Sequence, residues 1–171
     1  MSQTRDVVVL SGTRTAIGTY GGSLKDTPPA ELATTVVREA IARSGLAGED
    51  IEHAVIGNVI HTEPRDMYIS RVAAVNGGIP IESPAFTVNR LCGSGLAAMM
   101  DAARAARLGE GELFLAGGVE SMSRAPYVLG KADSPYARNQ PMFDTVIGSR
   151  FPNPWIAKEY GSHSMPETAD N

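Results

Sequence analysis

The sequence predicts an α/β fold, in which a mostly parallel sheet carries helices on both faces. Four short apolar runs alternate with three amphipathic segments through the first two thirds of the 171 residues. This alternation, with short connections that contain glycine or proline, is typical of strand–helix–strand units. With 43% hydrophobic residues, the chain can bury a core of ordinary size.

Each predicted strand is a short run rich in valine, isoleucine or phenylalanine. Residues 6–11 (DVVVLS) form a continuous apolar run of the kind found in strands buried on both faces. The same reasoning predicts strands at residues 54–60, 85–89 and 112–117. Ligands of such sheets bind beyond the carboxyl ends of the strands, so the loops after these four runs are where function is expected.

The predicted helices have start and stop signals. The first begins after Thr27, its predicted N-cap, and ends at Gly45, with Pro28 placed where a missing N–H costs nothing. The second covers residues 66–76 and the third residues 93–108. The third helix is predicted to turn four side chains towards the core: Leu96, Met99, Met100 and Ala103.

The composition changes near residue 120, which predicts two parts. Residues 1–120 form the α/β core, and residues 121–171 begin a loop-rich inserted or appended subdomain. Six of the ten aromatic residues and six of the eleven prolines lie in this second part, where the strand alternation disappears. Residues 164–169 (SMPETA) carry helix-start signals just before Asn171, so we expect this chain to be part of a longer protein.

Charge and cysteine content narrow the functional classes. Fifteen basic and nineteen acidic residues give a net charge of −4, so we expect no nucleic-acid partner. No apolar run reaches membrane-spanning length and no signal peptide is recognisable, so we expect no membrane partner. One cysteine cannot form an internal disulfide or, alone, a thiolate zinc site. We therefore predict no metal and a reducing cytoplasm.

Cys92 is the strongest candidate for chemistry. It lies in the segment NRLCGSG, between a predicted strand and a predicted helix. The partial positive charge of a helix N-terminus favours thiolate, which is the nucleophilic form. Gly93 and Gly95 would let a substrate carbonyl approach and would let backbone N–H groups face an oxyanion. The alternative is a small buried hydrophobic residue, which is what most lone cysteines are.

No histidine is a convincing base for this thiol. His61 is the best placed, because it follows the second strand on the ligand side, but a surface loop histidine is the commoner interpretation. His53 precedes that strand, at the opposite end, and His163 lies in the late loop region. Glu120, after the fourth strand, is predicted to be a buried hydrogen-bonding residue rather than an acid. No glycine fingerprint for a dinucleotide follows the first strand.

Four segments together resemble the N-terminal half of a thiolase. They are RTAIG with GGSL from residue 14, NRLCGSGL from residue 89, GGVESMSRAPY from residue 117 and SMPETADN from residue 164. They span the chain in the family's order, so the resemblance is specific. Residues 117–171 are particularly similar to thiolases that cleave 3-oxoadipyl-CoA, while the first half is equally similar to short-chain acetyl-CoA acetyltransferases and 3-ketothiolases.

The resemblance implies a mechanism and partners. Cys92 matches the nucleophile that holds an acyl group covalently, and Met165 matches a methionine that lines the acyl and pantetheine pocket. The implied substrates are acetyl-CoA, CoA and 3-oxoacyl-CoA, with no separate cofactor. The implied assembly is a homodimer through the sheet region, or a homotetramer built from such dimers.

The chain also departs from the family pattern. Ser164-Met165-Pro166 stands where many members have His-Met-Gly, and the family's C-terminal segments with asparagine, histidine and a second cysteine do not occur in these residues. Two alternatives to an acyltransferase therefore stay open. One is a catalytically incompetent fragment that acts only as a dimerising module. The other is a condensing enzyme acting on carrier-protein thioesters, which the segment 117–127 argues against.

Overall fold

The computed structural model describes residues 5–146 and 151–171, and it divides into two compact units between Arg124 and Ala125. The first unit contains three helices and three strands, which in chain order are α1 (Pro29–Ser44), β1 (His53–Gly57), α2 (Ile69–Gly77), β2 (Ala85–Val88), α3 (Ser94–Leu108) and β3 (Phe114–Gly118). Short 3-10 turns cover Gly48–Asp50, Pro64–Tyr68 and Met122–Arg124. The α/β alternation predicted from the sequence is confirmed over this region.

The three strands form a parallel sheet in the order β2-β1-β3. Gly57, the last residue of β1, pairs with Val88 on one side and Gly118 on the other. The carboxyl ends of all three strands therefore meet at one edge of the sheet. This is the edge where the sequence predicted a functional site.

Helices cover both faces of the central strand, as predicted. Successive side chains of a strand point to opposite faces. Ala54 and Ile56 of β1 belong to the buried cluster formed with α1 and α2. Gly57 lies on the other face, where the first turn of α3 comes against it. Burial of both faces of β1 explains why its sequence is an uninterrupted apolar run.

Residues 6–11 do not form the predicted first strand. Arg5 pairs with Glu112, and the Ser11 hydroxyl donates to the Ala40 carbonyl at 2.7 Å, so both ends of the segment are attached to the unit. No ladder forms between these ends, and the apolar side chains from Val7 to Leu10 are 41–78% exposed. The prediction is wrong because a strand requires a hydrogen-bonding neighbour, and none of the described residues supplies one.

The buried face of α3 also differs from the prediction. Ser94, Ala98 and Ala102 are its buried residues, whereas Leu96 is 64% exposed and both methionines are exposed. Residues four apart share a helix face, so the small side chains form one stripe against the sheet. Small residues let the helix backbone approach the strands closely, and this contact decides the orientation of α3.

The ends of α1 confirm one predicted signal and correct another. Gly45 adopts a left-handed conformation, with φ of 73°, which ends the helix as predicted. The N-cap is Pro28 rather than Thr27, and no side chain caps the first turn. Pro29 takes the first helical position, where its missing N–H leaves no bond unmade.

The second unit consists of short elements joined by loops. It contains an antiparallel pair, β4 (Tyr127–Leu129) and β5 (Met142–Asp144), followed by α4 (Pro154–Tyr160) and α5 (Met165–Asp170). The buried Thr145 hydroxyl donates to the Pro126 carbonyl at 2.6 Å beside that pair. Within residues 5–146 and 151–171, no helix is long and apolar enough to cross a membrane.

Candidate active site

The thiol of Cys92 is free and exposed in the turn that joins β2 to α3. Gly93 is the N-cap of α3 and Ser94 is its first residue, so the cysteine precedes the helix by two positions. The turn begins beyond Val88, at the carboxyl end of the sheet. Cys92 thus lies at the expected edge of the sheet. Because its side chain is exposed, it does not act as a small buried hydrophobic residue in this structure.

The backbone of this turn is tightly hydrogen-bonded. Leu91 has a φ of 49°, the only positive φ of a non-glycine residue in the described chain. The Ser94 hydroxyl accepts from the Arg90 N–H at 2.8 Å and donates to the Leu91 carbonyl at 2.6 Å. The Asn89 side chain accepts from the Leu91 N–H at 3.0 Å. These bonds hold a left-handed residue directly before Cys92, a conformation that costs about 1–2 kcal/mol.

Two of the N–H groups that follow Cys92 are hydrogen-bonded within the turn. The Gly93 N–H donates to the Arg90 carbonyl at 3.1 Å, and the Ser94 N–H donates to the Leu91 carbonyl at 3.0 Å. The Gly93 N–H is therefore committed to the turn and does not face open space for an oxyanion. Its role in this structure is to close the turn.

Glycines bring the first turn of α3 into direct contact with the strands. A Cβ added at Gly57 would lie 2.6 Å from the carbonyl carbon of Ser94. A Cβ added at Gly118 would lie 3.0 Å from the Cα of Gly95. Both distances are shorter than a normal carbon–carbon contact of about 3.5 Å. The ends of β1 and β3 therefore form a floor beneath the residues that follow Cys92.

Glu120 ties the exits of β1 and β3 together. Its carboxylate accepts from the Val59 N–H at 3.0 Å, from the Ile60 N–H at 3.1 Å and from the Asn58 amide at 3.3 Å. The predicted hydrogen-bonding role is confirmed, but the residue is exposed rather than buried. Sequence reasoning missed Asn58, whose only sequence signal is a polar residue at the end of an apolar strand.

The three histidines lie on different parts of the chain. His53 is the first residue of β1, at the amino end of the sheet, where its ring lies 5.6 Å from that of Phe86 and 6.0 Å from that of Phe114. His61 is half-buried beyond β1, and His163 belongs to the second unit. No histidine hydrogen-bonds Cys92 among the residues that the structure describes, so a Cys–His pair is not formed there.

Met165 is the first residue of α5 in the second unit and is exposed. The Ser164 side chain and the Glu167 carboxylate cap that helix reciprocally, as its start signals predicted. The hydrogen bonds from the Ser164 N–H and hydroxyl lower the pKa of the Glu167 carboxyl, because they favour its charged form. The suggested contact of Met165 with an acyl chain stays a prediction.

In the part of the chain that the structure describes, Cys92 belongs to no metal cluster. The described parts of the chain contain no group of three or more His, Cys, Asp or Glu side chains that could hold a metal ion. Two open clefts of about 570 and 350 Å³ lie in the first unit, and Cys92 lines neither. Cys92 is therefore an exposed thiol at the carboxyl edge of the sheet, with the ends of β1 and β3 below the turn that follows it.

Comparison with known proteins identifies the family of the chain. Residues 7–153 match the family description "Thiolase, N-terminal domain". The chain is 65% identical over 129 residues to the beta-ketothiolase BktB of Cupriavidus necator, covering 75% of this chain and 33% of that protein. It is 45% identical over 168 residues to the 3-oxoadipyl-CoA/3-oxo-5,6-dehydrosuberyl-CoA thiolase of Escherichia coli, covering 98% of this chain and 42% of that protein.

A solved structure extends the likeness to the fold. The acetyl-CoA acetyltransferase of Bacillus anthracis superimposes with a TM-score of 0.85 at 32% identity, covering all of this chain and 42% of that one. The chain thus spans between a third and about two fifths of the length of these relatives. The match of residues 7–153 to the family model, which covers most of the sequence, shows that this chain belongs to the thiolase family.

Proposed function

We propose that this chain is the N-terminal part of an acyl-CoA:acetyl-CoA C-acyltransferase that forms or cleaves 3-oxoacyl-CoA. The observation that carries the proposal is the exposed thiol of Cys92, held at the carboxyl edge of the sheet by the turn before α3. The names of the relatives support the substrate class, since they include a 3-oxoadipyl-CoA thiolase and an acetyl-CoA acetyltransferase. The substrates proposed are acetyl-CoA, CoA and 3-oxoacyl-CoA.

In the cleavage direction the Cys92 sulfur attacks the 3-oxo carbonyl carbon. The bond between C2 and C3 then breaks, its electron pair stays on C2, and acetyl-CoA leaves after C2 takes a proton. Free CoA attacks the resulting acyl thioester and releases Cys92 with the shortened acyl chain on CoA. In the synthetic direction the same steps run in reverse from acetylated Cys92. This is covalent catalysis in two half-reactions.

The remaining parts of the proposal concern organisation. Residues 1–120 provide the nucleophile-bearing α/β core, and residues 121–171 begin a loop subdomain in which Met165 contacts the acyl and pantetheine groups. The division between Arg124 and Ala125 supports this arrangement, although residues 1–4 and 147–150 lie outside the described residues. The assignment to the cytoplasm rests on the single cysteine, which cannot form an internal disulfide, and the homodimer or homotetramer rests on the family resemblance.

One observation favours a second candidate, a fragment that only dimerises. No histidine hydrogen-bonds Cys92 in residues 5–146 and 151–171, and a thiol without a base gives little turnover. The two candidates differ in whether Cys92 accepts an acyl group. A dimerising module would associate without forming any covalent intermediate.

Intact-mass spectrometry of the purified chain, before and after incubation with acetoacetyl-CoA, tests the proposal. We expect one acetyl group per chain, absent from Cys92→Ser, with acetyl-CoA released in equal amount. An adduct that persists in Cys92→Ser would place the nucleophile elsewhere. A chain that acquires no adduct, yet elutes as a dimer in size-exclusion chromatography, would replace the enzyme by the dimerising module.

A further inference from the structure

A chain of contacts leads from Glu120 to the turn that carries Cys92. The carboxylate binds two main-chain N–H groups, those of Val59 and Ile60, which lie two and three residues after the end of β1. Glu120 itself lies two residues after the end of β3, at a sequence distance of about 60 residues from its partners. A charge-assisted hydrogen bond is about twice as strong as a neutral one. One side chain therefore joins the exits of two neighbouring strands.

Asn58 reinforces this junction from inside the unit. It is 1% exposed, and its amide nitrogen donates to the Val119 carbonyl at 3.0 Å as well as to Glu120. The main chain closes the same junction, because the Val119 N–H donates to the Gly57 carbonyl at 3.0 Å. Both strand exits are thus fixed by bonds to side-chain and main-chain atoms.

The strand ends fixed in this way are those that α3 rests on. Gly57 lies against Ser94, and Gly118 lies against Gly95, at distances that leave no room for a Cβ at either strand position. Packed groups at such separations cannot move independently. A displacement of one strand exit is therefore transmitted to the first turn of α3, and Ser94 also bonds both residues before Cys92.

We infer that Glu120, together with Asn58, is a positioning residue for the Cys92 turn. Its carboxylate holds the ends of β1 and β3 in register. Gly57 and Gly118, which form the floor under Ser94 and Gly95, therefore keep fixed positions relative to each other. Glu120 acts through that floor and need not touch the substrate. The inference rests on the proposed nucleophilic role of Cys92, because positioning matters for catalysis only if that thiol reacts.

The test compares Glu120→Gln with Asp66→Asn as a matched control. Asp66 is a buried carboxylate that also accepts three hydrogen bonds, from the Thr62 N–H and hydroxyl and from the Glu63 N–H. None of its bonds involves the strand exits. Glutamine has the shape of Glu120 but presents an NH₂ group to one of the N–H donors. Both substitutions weaken a comparable set of hydrogen bonds to a carboxylate. Only Glu120→Gln does so at the strand ends that lie beneath the Cys92 turn.

The first readout is amide hydrogen exchange followed by mass spectrometry, which requires no activity. We expect Glu120→Gln to speed exchange of the Gly93 and Ser94 amides about tenfold, and Asp66→Asn to leave them unchanged. The second readout is the acyl-transfer rate from acetoacetyl-CoA at saturation. Glu120→Gln should lower this maximum about tenfold with the half-saturating concentration unchanged, because alignment is lost rather than binding.

The outcomes separate this inference from the proposed function. Faster exchange confined to residues 58–62 of Glu120→Gln would overturn the positioning role. Equal acceleration at Ser94 in Asp66→Asn would overturn it as well, because general loosening would then be the cause. An unmodified wild-type chain refutes the proposed function, whereas the exchange data still decide whether Glu120 holds the turn.

Discussion

Gly57→Ala is expected to lift the start of α3 from the sheet. The new Cβ would lie 2.6 Å from the Ser94 carbonyl carbon and 2.7 Å from both its Cβ and its carbonyl oxygen. Reaching a normal separation of about 3.5 Å requires a shift of about 0.9 Å. Two of the three atoms met are main-chain atoms, so no side-chain rotation relieves the overlap. Overpacking of this kind costs about 1–3 kcal/mol of unfolding free energy.

Urea unfolding followed by circular dichroism measures this cost. For a slope of about 2 kcal/mol per molar urea, a loss of about 2 kcal/mol lowers the midpoint by about 1 M. The slope itself should not change, because the same surface is exposed on unfolding. Acylation of Cys92 should slow in the same variant, since the turn after the cysteine is the part that is displaced.

Gly117→Ala provides the matched control on the neighbouring strand. A Cβ at Gly117 meets no atom within 4 Å, and its φ is not in the left-handed region. Alanine there removes unfolded-state freedom and should leave stability unchanged or raise it by about 0.4–1 kcal/mol. If Gly57→Ala unfolds at the same urea concentration as Gly117→Ala, the close approach of α3 to β1 does not constrain the fold.

Three further predictions concern other parts of the chain. Leu91→Gly should change the unfolding free energy by less than about 1 kcal/mol. Leu91→Val should lower it by more than that, because a β-branched residue fits a φ of 49° poorly. The urea midpoints of the two variants test this difference. Asp66→Ala should lower stability by about 1–3 kcal/mol in the same assay, since it leaves the buried donors of Thr62 unpaired. Ser164→Ala should raise the pKa of Glu167 towards 4.5 in an NMR titration. Because the pKa of Glu167 is lowered in the folded chain, the cap stabilises α5 at pH values above the unfolded pKa. This stabilisation is lost as the pH falls through the folded pKa. A cap that stabilises α5 equally at acid pH would contradict the prediction.

Local signals were sufficient for much of the fold. The apolar run at β1 predicts a buried strand, because its residues meet helices on both faces. Gly45 predicts the end of α1, because glycine adopts the left-handed conformation without strain. Cys92 could be placed at a strand–helix junction from the same signals. Each of these features depends on residues within a few positions of one another.

The support of the site depends on residues far apart in the sequence. Glu120 and its bonding partners Val59 and Ile60 are separated by about 60 residues, and nothing in either segment identifies the other. The sequence shows that Gly57 and Gly118 are small residues at the ends of strands, but small residues follow many strands. Their function appears only when the neighbour that excludes a Cβ is known.

Two of the incorrect predictions, the strand at residues 6–11 and the buried face of α3, have one physical cause. Hydrophobicity indicates which side chains are stabilised by leaving water, but it does not indicate which other residues will cover them. Residues 6–11 and the Leu96 face of α3 are both apolar and both exposed in this structure, whereas Ala98 and Ala102 of α3 are buried against the sheet. Close helix–strand contact is available only to small side chains, so Ala98 outcompetes Leu96 for the sheet although leucine is the more hydrophobic. Geometry, and not hydrophobicity alone, therefore decides which face of α3 packs against the sheet.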